Sequence, residues 1–224
     1  MTQNPTEPPF FLTCGPKDAP VVLVFAHGAG APMDSPFMED IARQIGEAGV
    51  RVVRFEFPYM RRRRIDGKKP GPNTARILRE HFIAVVQSLP QGTPFAVGGK
   101  SMGGRFATMI ADEIGAVAAV AFGYPFHPPK KPERLRTAHL ADIQTPLLIL
   151  QGERDPFGKP AEVAGYDLGD RVEVVWVPDG DHSLKPRKRS GHTEDGNRAQ
   201  AAARAVAFLL SRAGSEDDRL QARQ

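Results

Sequence analysis

A serine held between glycines two positions away on either side, Gly99-Lys100-Ser101-Met102-Gly103, has the most direct chemical meaning in this sequence. The segment follows a strand-like stretch, Phe95-Ala96-Val97, and precedes a helical pattern carrying Phe106, Met109 and Ile110. A sharp turn between strand and helix lifts a serine off the sheet edge and strains its backbone. Glycines relieve the crowding: a Cβ at Gly99 or Gly103 would meet the neighbouring strand or helix, and Gly98 and Gly104 widen the clearance. The first turn of the following helix aims N–H groups and the positive end of its dipole at the site, which suits a developing oxyanion. A phosphate-binding loop shares the tail Gly99-Lys100-Ser101, but it needs a glycine where this chain has Pro94. Ser101 therefore reads as a nucleophile, and Lys100 as an exposed side chain on the turn.

A serine hydroxyl near neutral pH needs a base within hydrogen-bond reach and a third group that orients the base. Of the six histidines, only His182 lies on a loop after a late strand, has small neighbours, and follows both serine and acid in chain order. Its segment is Pro178-Asp179-Gly180-Asp181-His182-Ser183, where Asp179 and Asp181 read as turn formers or supports of the base. The acid is Asp155 in Gln151-Gly152-Glu153-Arg154-Asp155, with Glu153 as its nearest rival. The loop after Val117–Phe122, Gly123-Tyr124-Pro125-Phe126-His127, offers no carboxylate. Oxyanion donors are expected from the N–H of Met102 and from that of Ala29, with Gly30 as the alternative, in His27-Gly28-Ala29-Gly30. His27 fits better beside this pocket than as a base. The chemistry calls for no cofactor and no metal, and Cys14, the single cysteine, allows neither an intrachain disulfide nor a cysteine zinc cluster.

These residues need a scaffold that delivers several loops to one edge. Strand-like runs alternate with helical patterns from end to end, which gives an α/β class with a mostly parallel, doubly wound sheet covered on both faces. The strands are Val21–Ala26, Arg51–Phe57, Phe95–Val97, Val117–Phe122, Pro146–Gln151 and Val172–Val177. Ser35-Pro36 opens a helix with Phe37, Ile41 and Ile45 on one stripe and Gly49 at its end. A second helix carries Ile77, Leu78, Phe82, Val85, Val86 and Leu89 and stops at Pro90. A final alanine-rich helix spans about 197–212. The stretch from Gly123 to Thr145, helix-like over Glu133–Leu140, is too short for a large lid, so an open pocket is expected. One domain over 1–224 is expected, with flexible tails at 1–8 and 213–224.

Over nearly its whole length the chain resembles the α/β-hydrolase superfamily. The likeness rests on His27-Gly28-Ala29-Gly30-Ala31-Pro32-Met33-Asp34, Gly98 to Gly104, Gln151 to Asp155 and Asp179 to Ser183. Within it the chain is similar to the compact dienelactone-hydrolase-like branch, whose animal relatives include a non-catalytic-seeming subunit of a chromatin acetyltransferase complex. The resemblance implies an α/β-hydrolase fold and a triad of Ser101, Asp155 and His182, but no particular substrate. Dienelactone hydrolases proper use a cysteine nucleophile, which this sequence lacks.

The formal charge is +4, with basic residues concentrated in Arg61-Arg62-Arg63-Arg64, Lys68-Lys69 and Lys185 to Arg189. Both runs follow strands and so fall on the rim that carries Ser101. They read either as solvated loops or as attractors of an anionic substrate or partner, with His27 and Tyr124 lining the same substrate rim. No apolar run approaches a membrane span and the N-terminus lacks a signal-peptide pattern, so a cytoplasmic protein without a membrane partner is expected. The leading expectation is hydrolysis of a small-molecule carboxylic ester or thioester through an acyl-enzyme. Its rival is a non-catalytic interaction module that uses the basic loops on acidic partners or nucleic acid. A complete triad by residue type and chain order favours the enzyme and makes nucleic acid the weaker partner.

Overall fold

The computed structural model describes residues 11–213. Seven strands form one sheet: β1 (Leu12–Cys14), β2 (Val22–Ala26), β3 (Arg51–Phe55), β4 (Phe95–Lys100), β5 (Ala119–Phe122), β6 (Leu147–Gly152) and β7 (Val172–Val177). Their order is β1-β3-β2-β4-β5-β6-β7, and only β1 runs antiparallel to its neighbour. The helices are α1 (Pro36–Glu47), α2 (Pro58–Asp66), α3 (Ala75–Gln87), α4 (Met102–Ile110), α5 (Pro160–Val163) and α6 (Glu194–Arg212).

Parallel strands covered on both faces bury both sets of alternating side chains, so β2 (Val-Leu-Val-Phe-Ala) and β5 (Ala-Val-Ala-Phe) are apolar and buried throughout. In β2, Val24 and Ala26 pack with α3 and α4 through Leu78, Phe82 and Phe106. Leu23 and Phe25 point the other way, against Ile41 and Ile45 of α1 and Ala202, Ala205 and Leu209 of α6. One strand thus serves two cores.

After β2 the chain moves outward to β3 and then crosses back to place β4 on the other side of β2. The carboxyl ends of β2 and β4 lie at this reversal, the usual ligand position in such sheets. The Ser101 turn and the His27-Gly28-Ala29-Gly30 loop are the two that meet there.

Several local expectations need correction. Arg61 to Arg64 lie on helix α2, not in a loop, because Pro58 starts a helix at its first turn and Gly67, in left-handed conformation at φ 66°, ends it. Strand β3 stops at Phe55 for the same reason. The helix-like stretch 133–140 contains only a 3₁₀ turn, Ala138–Leu140. Strand β1 and helix α5 are each too short to show a period. Apart from Ala213, the tails expected at 1–8 and 213–224 lie outside the described residues.

Candidate active site

Ser101 sits between β4 and α4 with φ 52° and ψ −115°, a conformation costly for a residue with a side chain. The glycines around it answer to close packing. A Cβ on Gly99 would stand 2.5 Å from the Ala26 carbonyl oxygen, and one on Gly103 would stand 2.5 Å from that oxygen and 2.6 Å from the His27 carbonyl oxygen. The turn is held by the Ser101 N–H, which donates to the Phe122 carbonyl at 3.0 Å, and by the Arg105 N–H, which donates to the Ser101 carbonyl at 3.0 Å.

Two further loops reach the serine. His182 Nε2 lies 2.9 Å from Ser101 Oγ, and His182 Nδ1 lies 2.8 Å from Asp155 Oδ2. Asp155 is fully buried and also accepts from the Gln151 amide at 2.9 Å and from the Phe157 N–H at 2.9 Å. The imidazole lies against the Phe157 ring, centroids 4.3 Å apart. Gly152 lets the two loops touch, because any Cβ there would collide with the carbonyls of Gly180 and Asp181. Burial holds the His182 pKa below its usual value, the Asp155 hydrogen bond opposes this, and the Lys100 charge adds to the lowering. A neutral imidazole with its proton on Nδ1 leaves Nε2 free to accept from the serine hydroxyl.

The rival carboxylates serve structure. Glu153 accepts from the Asp179 N–H at 2.8 Å, Asp181 from the N–H groups of Ser183 and Lys185, and Asp179 pairs with Arg154 and Arg187. Gln151 and Phe157 are contacts of the acid and base that composition and spacing do not single out.

The loop after β2 is locked from below. His27 is fully buried, its Nε2 accepting from the Phe57 N–H at 3.1 Å and its Nδ1 donating to the Gly28 carbonyl at 2.7 Å. Burial brings its pKa down to about 4, so the ring is neutral, as the two bonds require. The Tyr59 hydroxyl donates to the carbonyls of Gly28 at 3.3 Å and Ala29 at 3.0 Å. In a trans peptide the N–H points opposite to the C=O. Holding the Gly28 and Ala29 carbonyls therefore aims the Ala29 and Gly30 N–H groups away from Tyr59. Among the described residues neither N–H donates to a protein group. The Met102 N–H is in the first turn of α4, where helical N–H groups have no partner within the helix.

Three side chains are not where the sequence suggests. Lys100 is buried, at 8% exposure, with Nζ donating to the His182 carbonyl at 2.5 Å, because the chain closes over it instead of leaving the turn open. His27 is tied to backbone, as described, and does not line a solvent-facing rim. Tyr124 is fully buried, its hydroxyl donating to the Arg136 carbonyl at 2.9 Å. The basic runs are engaged in part, with Arg62, Lys68, Lys69, Lys188 and Arg189 exposed. Arg63 donates to the Pro70 carbonyl, Arg64 is clamped by Glu56 and Asp34, and Lys185 pairs with Glu194 at 3.0 Å. Arg61 is half-buried.

A family model described as an alpha/beta hydrolase domain matches residues 19–210. ABHD14B of Pongo abelii, named for protein-lysine deacylase activity, is 27% identical over 116 residues, which cover 52% of this chain and 53% of that protein. The chain thus spans about half the length of this curated relative. Among solved structures, a dienelactone hydrolase from Anabaena variabilis ATCC 29413 superposes with a TM-score of 0.70 at 21% identity, covering 90% of each chain. An alpha-beta serine hydrolase homologue from Coxiella burnetii gives 0.67 at 17% identity, covering 89% of this chain and 90% of that one. At these identities the likeness is one of fold. Among the described residues no helix is long and apolar enough to cross a membrane.

Proposed function

The chain belongs to the alpha/beta hydrolase domain family, and from that premise we propose that it cleaves a carboxylic ester or thioester through an acyl-enzyme on Ser101. The observation that carries this reading is the chain of two hydrogen bonds from Ser101 Oγ through His182 to buried Asp155, 2.9 and 2.8 Å long. In the proposed reaction His182 Nε2 takes the hydroxyl proton as Oγ attacks the acyl carbon, then returns it to the leaving oxygen or sulfur. Asp155 keeps the imidazole oriented and stabilises its charged form. The N–H groups of Met102 and Ala29, with Gly30 as the alternative, receive the oxyanion. Each such donor is typically worth about 2.7–4 kcal/mol in the transition state. Water then attacks the acyl-enzyme with His182 again as base.

No large lid stands between β5 and β6, which supports an accessible acyl site. On the rim Arg64, Lys185 and Arg187 are held by carboxylates, while Arg62, Lys68, Lys69, Lys188 and Arg189 are exposed, so neutral and anionic esters belong side by side as first substrates. Acyl-lysine peptides belong in the same panel because ABHD14B is named for deacylating protein lysine.

The test is intact mass after treatment with a fluorophosphonate, followed by a panel of esters, thioesters and acyl-lysine peptides. One adduct is expected, lost in Ser101→Ala and strongly reduced in His182→Ala. A wild-type protein that forms no adduct overturns the reading, and a salt-dependent mobility shift with DNA would then favour the interaction module.

A further inference from the structure

Asp155 raises an electrostatic question that its hydrogen bonds leave open. It is fully buried, and its partners among the described residues are the Gln151 amide, the Phe157 N–H and the imidazole of His182. While His182 waits as a neutral base, none of these carries a positive charge. An ionised carboxylate out of water without a counter-charge is strongly disfavoured, and the cheapest escape is for the imidazole to take a proton and cease to be a base.

Lys100 lies at this point. It is the residue before Ser101, and its Nζ donates to the main-chain carbonyl of His182 at 2.5 Å. The ammonium also stands 5.4 Å from the centre of the Phe37 ring of α1, and the guanidinium of Arg198 of α6 stands 5.4 Å from the same ring centre. Gly123 keeps the space open, since a Cβ there would come within 2.8 Å of Nζ and 2.7 Å of the His182 carbonyl oxygen. A flexible, strongly hydrated cation is an unusual choice for an interior position unless its charge is needed there.

We propose that Lys100 is a positioning residue of the hydrolytic site, anchoring the base through the His182 carbonyl and supplying the counter-charge to buried Asp155 while the imidazole is neutral. The proposal rests on the reading of Ser101, His182 and Asp155 given above. The same side chain would link the strand that delivers the nucleophile to the loop that delivers the base, so that neither shifts without the other. The electrostatics agree. Burial lowers the Lys100 pKa to about 8, with Asp155 and then Asp181 opposing that fall, and the Lys100 charge in turn lowers the pKa of His182. The charged or titratable groups that bear on the imidazole are Asp155, Lys100 and Asp181.

The test uses the full chain with Lys100→Met, which keeps an unbranched apolar stem and removes both donor and charge, and Lys100→Gln, which keeps a neutral donor. The His182 Hε1 proton is followed by NMR through a pH titration, with His182→Ala for assignment. Loss of the neighbouring cation is expected to raise the His182 pKa by roughly one unit in both variants. Where an activated ester such as p-nitrophenyl acetate is turned over, the acid limb of kcat/KM is expected to move up with it. In Lys100→Met kcat is expected to fall at least tenfold with little change in KM. A merely structural lysine would lower activity or stability and leave the titration of His182 in place. An unmoved His182 pKa in a folded variant overturns the proposal. If Lys100→Met does not fold, Lys100→Gln alone decides it by the same shift. The NMR result stands whether or not the protein is a hydrolase, whereas absence of a Ser101 adduct in the wild type would sink the hydrolytic reading alone.

Discussion

Replacing Tyr59 by phenylalanine removes one hydroxyl and leaves the ring, so it isolates what that hydroxyl does to the loop after β2. The hydroxyl has one proton, shared between the carbonyls of Gly28 at 3.3 Å and Ala29 at 3.0 Å. Burial pushes the phenol pKa up to about 12, so it remains a donor through the neutral range. The Gly28 carbonyl keeps its bond from His27 Nδ1 at 2.7 Å, whereas the Ala29 carbonyl loses its donor. One shared neutral hydrogen bond is worth about 1 kcal/mol of stability. If the loop supplies an oxyanion donor worth about 3 kcal/mol and loses roughly a third of its alignment, transition-state stabilisation drops by about 1 kcal/mol, or about fivefold in kcat. KM for a small ester should not move, since the hydroxyl is spent on two backbone carbonyls. Steady-state kinetics on p-nitrophenyl acetate, with urea unfolding as the control for folding, measures both parts. A kcat within twofold of wild type, at a stability cost of about 1 kcal/mol, would refute the claim that this hydroxyl aims the loop.

The elbow and the buried histidine offer two independent checks. Gly103→Ala should destabilise by about 3 kcal/mol or more, since the new Cβ meets two backbone oxygens at 2.5 and 2.6 Å that cannot move aside. Gly30→Ala, with nothing within 4 Å of its Cβ, should unfold at nearly the wild-type urea concentration. His27 holds a folded pKa of about 4, below its unfolded value, so the unfolded chain takes up the proton first and stability falls as pH drops. Between pH 6.5 and 4 the loss from His27 alone should approach about 3 kcal/mol, with His139, also held down to about 4 by burial, His81 and His182 adding in the same direction. Urea midpoints at pH 7 and pH 4.5 should differ accordingly, and the gap should narrow in His27→Asn. Equal gaps in both proteins would show that His27 contributes nothing to the pH dependence.

The alternation of apolar runs with helical stripes makes the parallel sheet legible, since central strands such as β2 and β5 bury both faces and carry no polar period to hide that. The Ser101 turn is legible for a different reason. Its glycines are demanded by backbone oxygens of β2, and that demand leaves a fixed spacing in the chain. Asp155 and His182 follow from chain order and from their places after β6 and β7. Where a helix begins at a proline after a strand, as at Pro58, the arginines that follow look like a solvated loop because α2 has almost no apolar stripe to announce it. Short elements such as β1 and α5 are fixed by neighbours and not by any period of their own.

Three of the residues that escaped local reading, Lys100, His27 and Tyr59, share one physical origin. Lys100 bonds a backbone carbonyl 82 positions away, while His27 accepts from a backbone N–H and Tyr59 donates to a backbone carbonyl, each 30 positions away. A backbone partner is the same chemical group at every position, so no residue type at the far end marks the pairing in sequence. Side-chain pairs can be guessed from complementary types, whereas side chain to backbone pairs appear only once topology has brought strand ends together. In this fold those pairs gather at the carboxyl ends of β2, β3, β4 and β7. The polar groups that fix the Ala29 loop and the His182 loop are therefore set by the strand order itself. It follows that Lys100→Met, His27→Asn and Tyr59→Phe, which remove the polar tie and keep most of the side chain, should disturb loop alignment before they disturb the sheet, even though the Tyr59 ring itself packs in the core.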